Sequence, residues 1–158
     1  MPVCAVHKML RNEEPRERGK YECLQNGNTM VNIRRPENDS EPSQVLQYLF
    51  TVLPDFKLHW ERDNYFIEDS GDYTLHSIFI VLSHYIRDTF GKIKEERRLE
   101  LFDYIEHCLT SNEADSGFSN AVTTCFLENL AGEGPISDSV NSYLKLRSKE
   151  YFEKWNTR

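Results

Sequence analysis

The chain has 158 residues, 39% of them hydrophobic and 28% charged, with seven Gly and six Pro. That length fits one domain able to bury roughly 70% of the surface its unfolded form exposes, and the composition excludes a disordered, fibrous or low-complexity chain. Nineteen Lys+Arg against 26 Asp+Glu leave a net charge of −7, which is ill suited to gripping a phosphate backbone, so no nucleic-acid partner is expected.

The first ten residues (MPVCAVHKML) hold no apolar stretch of signal-peptide length. The longest aliphatic and aromatic run, residues 78–82, falls far short of the ~20 residues that span a bilayer. No membrane association is expected, and cytoplasm is the expected compartment. Four cysteines, Cys4, Cys23, Cys108 and Cys125, are widely separated in a chain large enough not to need staples, so free thiols are expected.

Charge divides the chain. Residues 1–35 carry seven Lys+Arg and four Asp+Glu, a net of +3, whereas residues 36–158 carry twelve and twenty-two, a net of −10. Residues 11–20 (RNEEPRERGK) are almost all charged, and 36–42 (PENDSEP) form a polar, proline-bounded linker. Weak alternation around Asn26-Gly27 suits a small hairpin or no structure at all. Residues 1–42 therefore read as a basic, polar arm, and residues 43–158 as a helical domain.

In that domain Ser43 is the expected N-cap of a first helix carrying Val45, Leu46, Leu49, Phe50 and Leu53, stopped by Pro54. Residues 56–67 read equally as a loop, a short strand or a short helix. Asp72 is the expected cap of a long helix, with Leu75, Ile78, Phe79, Leu82, Ile86 and Phe90 at helical spacing and Gly91 closing it in the left-handed region. Residues 94–110 repeat the pattern. A fourth helix, capped by Asp115 or Ser116, carries Phe118, Val122, Cys125, Phe126 and Leu130, and a fifth opens at Ser137 or Ser139 and runs past Trp155. The expected fold is all-α, an antiparallel or orthogonal array of about five helices.

Chemistry-bearing groupings are sparse. His76 and His84 stand about 80° apart around one helix, too far for a close metal pair. Cys4 and His7 have the spacing of half a zinc site without a second half, so no metal is expected. Cys108 and Cys125 fall on apolar stripes and read as small core residues. There is no GxxxxGK[ST], GxGxxG or GxSxG, and no cofactor is expected. The segment 68–72 is only superficially like a calcium-binding loop, lacking its closing Glu.

The remaining feature is residues 60–73 (WERDNYFIEDSGDY), where aromatic residues stand among acids. Aromatic anchors ringed by one sign of charge suit a protein partner with a basic surface. The candidate contact set is Trp60, Asp63, Tyr65, Glu68, Asp69 and Asp72, set against the plainer reading that the aromatics cap the core and the acids face water.

Three stretches, 72–76 (DYTLH), 101–106 (LFDYIE) and 120–130 (NAVTTCFLENL), resemble small acidic helical proteins of bacterial toxin–immunity loci, over roughly residues 43–156. The resemblance implies an immunity protein that neutralises a cognate toxin by direct, stoichiometric binding, without catalytic residues of its own. Two alternatives stand beside it: an adaptor module unrelated to toxins, and an enzyme whose site assembles from His76, His84, His107 and nearby carboxylates.

Overall fold

A computed structural model describes residues 41–63, 71–111, 117–132 and 134–156. The arm up to residue 40, with Cys4, His7 and Cys23, lies outside them. The fold is all-α: seven helices and no strand occur among the described residues.

Helix α1 (Pro42–Val52) begins two residues earlier than expected. Pro42 occupies the first turn, where its missing N–H and fixed φ cost nothing. Glu41 is the N-cap, and the Ser43 hydroxyl donates to Glu41 Oε1 at 3.1 Å instead of capping. After Pro54, residues 56–63 resolve into a short helix, α2 (Phe56–Asp63).

Helix α3 (Leu75–Thr89) is capped by Thr74, not Asp72. Thr74 Oγ1 accepts from Ser77 N at 3.2 Å, and Ser77 Oγ accepts from Thr74 N at 3.3 Å. Serine takes the third-residue role that glutamate usually fills in such a reciprocal cap, which disguises the motif. Gly91 does not close α3 in the left-handed region. The chain tightens into a 3₁₀ turn, Phe90–Lys92, in which Phe90 is buried.

Helix α4 (Glu95–Ser111) buries Leu101, Phe102, Tyr104, Ile105, Cys108 and Leu109. Its Tyr104 ring meets Tyr48 of α1 at 4.4 Å, and the Tyr48 hydroxyl donates to Glu100 Oε1 at 2.7 Å. Cys108 and Cys125 are free thiols, Cys108 buried and Cys125 half-buried, as their apolar stripes imply. The expected caps Asp115 and Ser116 lie outside the described residues.

Residues 117–130 form one rod, α5, built from Gly117–Ala121, a π-helical segment Val122–Leu127 and a last turn Glu128–Leu130. Its apolar residues Phe118, Val122, Phe126 and Leu130 repeat every fourth position. On an α-helix of 3.6 residues per turn such a stripe drifts about 40° per step. Widening the turn keeps all four buried, and the Glu128 N–H reaches back to Thr123 O. Thr123 and Thr124 hydroxyls donate to carbonyls of Ser119 and Asn120, which helps satisfy the altered backbone ladder.

The expected last helix is two. Gly134, with φ +63°, precedes α6 (Pro135–Asn141), and after a turn holding Tyr143 and Leu144 comes α7 (Leu146–Asn156). The break has a cause in α4. Lys145, the residue before α7, has no acceptor with which to cap it. The Glu106 carboxylate does so from α4, taking Arg147 N at 2.9 Å, Ser148 N at 2.8 Å and Ser148 Oγ at 2.7 Å. Lys145 Nζ in turn pairs with Asp103 at 2.6 Å. Burial alone would push the Glu106 carboxyl up. The bonds from Ser148 and Arg147, with the Lys145 charge, outweigh it and hold the group below its ordinary range.

Aromatic rings tie the elements together. Phe79 of α3 meets Phe118 at 5.7 Å and Phe126 at 6.3 Å, Phe102 of α4 meets Phe126 at 6.1 Å, and Tyr143 closes on Phe90 and Phe102. Arg98 lies over both Phe90 and Tyr143 at about 5 Å.

Replacing Glu106 with Ala strips acceptors from two backbone N–H groups and a buried serine. The expected loss is about 1–2 kcal/mol of stability, read from urea denaturation. Because the folded carboxyl is held low, the contribution is full above its ordinary range and drains as pH falls through the folded value. The Ala variant should show less of that acid-side loss.

Candidate partner-binding surface

The acidic, aromatic segment singled out in the sequence begins at the C-terminal end of α2 and reaches the start of α3. Its two described aromatics are ordered by the core. Trp60 is only 5% exposed, set between Phe56, tilted against it at 6.4 Å, and Tyr73, edge-on at 5.4 Å. It is a core side chain and not a free anchor, because α2 turns its apolar face, Phe56, His59 and Trp60, inward. The ring left at the surface is Tyr73, half-buried and backed edge-on by the Trp60 indole.

Asp63 is held by its own helix. Arg62 donates through Nε to both carboxylate oxygens, at 3.1 and 3.0 Å, and through Nη2 to Oδ2 at 2.6 Å. That bond with Arg62 keeps the Asp63 carboxyl below its ordinary range, against a smaller opposing effect of burial. Its charge is therefore paired locally. Asp72 and Glu61 are exposed, Glu61 lying 4.0 Å from Lys57. Tyr65, Glu68 and Asp69 lie outside the described residues.

Two histidines, His59 of α2 and His84 of α3, are shifted by burial. His59 of α2 is 8% exposed, and its ring meets Tyr85 of α3 edge-on at 5.4 Å. Arg62 Nη2 lies 3.1 Å from His59 Nδ1. A guanidinium can only donate, so Nδ1 accepts and the ring proton sits on Nε2. Nε2 is buried without a hydrogen-bond partner among the described residues. Asp63 Oδ2 stands 3.4 Å from the same Nδ1. Burial pushes the His59 imidazole down, with Asp63 opposing, and burial followed by the Arg87 charge does the same to His84. One turn of α3 beyond His84, Asp88 acts on both rings.

The other histidines go elsewhere. His76 Nε2 meets Asn120 Nδ2 at 3.4 Å, and His107 meets the Ser111 hydroxyl at 2.6 Å. His76, His84 and His107 thus have separate surroundings, and no grouping of three or more His, Cys, Asp or Glu able to hold a metal occurs among the described residues. No helix among them is long and apolar enough to cross a membrane. The effect of the His84 charge on His59 left no mark in the sequence, since the residues are 25 apart on different helices.

Both imidazoles are held neutral by the fold, so the unfolded chain takes up protons first, near the ordinary histidine value of 6.5. Stability is full above that pH and falls as pH drops toward the lower folded values. Thermal melts between pH 7.5 and 5 should show this loss, and the double variant His59→Gln, His84→Gln should flatten it.

No curated protein and no solved structure matches the chain. One family profile does: it covers residues 46–158, well over half of the sequence, and the chain accordingly belongs to the family described as Domain of unknown function (DUF7674).

Proposed function

We propose that this chain is a cytoplasmic immunity protein that neutralises a cognate toxin with a basic surface by direct, stoichiometric binding, through the surface where α2 meets the start of α3. The observation that carries the reading is Tyr73, a half-buried ring backed edge-on by the buried Trp60, with exposed carboxylates next to each of the two in the chain, Asp72 beside Tyr73 and Glu61 beside Trp60. A ring already fixed in place loses little conformational freedom on binding. Acids around it steer a basic partner into contact, and the aromatic supplies short-range burial. The net of −10 over residues 36–158 extends that steering field. The acidic residues Glu68 and Asp69 and the ring of Tyr65 belong to the same contact set by sequence. Binding, not chemistry, blocks the toxin in this reading, and the resemblance of residues 43–156 to acidic helical proteins of toxin–immunity loci supplies its direction.

The test uses the full chain, tagged and recovered from its source cells with any stoichiometric companion. The expected companion is a basic protein that stops growth when expressed alone and is harmless when co-expressed. The double variant Glu61→Lys, Asp72→Lys should slow association by about tenfold or more at low salt, and Tyr73→Ala should speed dissociation, with far-UV circular dichroism unchanged in both. Unaltered kinetics in both variants would remove this surface from the proposal. A stoichiometric companion without toxicity would replace the toxin reading with that of an adaptor.

A further inference from the structure

The opposite charge gathers at a different place. A cavity of about 350 Å³ lies between the turn joining α1 to α2 and the connection from α3 to α4. Its apolar wall is Leu53, Pro54, Ile93 and Tyr85, the last fully packed from behind by Phe56 at 5.3 Å and His59. Its polar lining is cationic: Lys92, Lys94 and Arg97, against the single carboxylate of Asp55. Thr89 completes it, its hydroxyl turned back to donate to Tyr85 O at 2.6 Å.

These cations stand out against their surroundings. Across residues 36–158 acids outnumber Lys+Arg by twenty-two to twelve. Lys57, Arg62, Arg87, Lys145, Arg147 and Lys154 each have a carboxylate within 4.0 Å. The Lys92 and Lys94 side chains have no ion-pair or hydrogen-bond partner among the described residues, and the Arg97 side chain is anchored by one bond, from Nη1 to Thr51 O at 3.2 Å. That bond ties the guanidinium of this cavity-lining residue to the last turn of α1 and leaves its other donors for something else. Three like charges converging on one apolar cavity repel one another, and an anion seated among them removes that repulsion.

We propose that this cavity binds a small organic anion, with a flat apolar or aromatic body against Tyr85, Leu53 and Ile93 and a carboxylate or phosphate head held by Lys92, Lys94 and Arg97. The size fits: small-molecule sites begin at about 300 Å³ and combine mostly apolar walls with a few convergent polar groups. Arg97 offers paired N–H donors that match either oxyanion, and the two ammonium groups act as point charges. The site is independent of the acidic surface proposed above and stands or falls separately.

The test titrates the full chain with 4-phenylbutyrate and with phenyl phosphate, following heat by calorimetry and amide shifts by NMR. Saturable one-to-one binding of at least one of them is expected, with shifts at Thr89, Ile93 and Lys94 and an affinity that falls as salt rises. The relative affinities of the two separate a carboxylate-headed ligand from a phosphate-headed one. The surface variant Lys92→Glu, Lys94→Glu should weaken binding about tenfold or more without changing the thermal melt. The proposal is overturned by the absence of saturation with either probe, by unchanged affinity in the double variant, or by inorganic phosphate or benzyl alcohol binding as tightly as the amphipathic anions.

Discussion

The fold depends on the burial of α3. Ser77, Ile78, Phe79, Val81, Leu82, Ser83, Tyr85 and Ile86 are all buried, and together they span about two thirds of the helix's circumference, leaving a less covered strip through Ile80, His84 and Arg87. A helix apolar on one stripe can lie on a surface, but one buried over so wide an arc needs neighbours on more than one side. Helices α1 and α2 cover one side and α5 the other, with the π-helical segment in the most extensive contact. At about 1.5–3 kcal/mol for each large apolar side chain buried, this wrapping outweighs the local preferences of the short elements that accomplish it.

Those short elements bend to serve it. Helix α5 abandons regular α geometry to keep a four-residue stripe pointed at α3. Helix α7 starts where α4 supplies the Glu106 carboxylate, with Lys145 at a position that usually caps itself. Each is a local rule broken and then satisfied from another part of the chain, with the backbone groups involved finding hydrogen-bond partners. Such satisfaction ties the C-terminal elements together: Asn156, the last described residue, accepts from Gly132 N at 2.7 Å and Ser137 Oγ at 3.2 Å.

The same packing sorts the charge. At the end of α2, the inward turn of Trp60 leaves Tyr73 as the ring at the surface and ties Asp63 to Arg62 and His59. On the far side of Tyr85, the connection into α4 gathers three cations around an apolar hollow in a chain otherwise dominated by acid. Tyr85 is common to both, its ring touching His59 and lining the cavity, so the buried face of α3 positions both surfaces.

Periodicity and punctuation by themselves determined the helical class, the stripes of α1, α3 and α4, the stop at Pro54 and the break at 132–135, because these arise from the apolar spacing and backbone limits of individual residues. Even the buried state of Cys108 was legible in its stripe. Tertiary structure decided what depends on residues distant in sequence. The split between α6 and α7 follows from a carboxylate 41 positions upstream of Arg147, whereas the choice of Thr74 over Asp72 as cap is local and rests on Ser77, three residues on. Residues 56–63 became helical when their apolar face gained α3 to cover it, and that burial took Trp60 out of the contact set. The electrostatic link from His84 to His59 and the cationic cavity are likewise products of packing, since side chains on separate helices acquire common neighbours only when the core has brought those helices together.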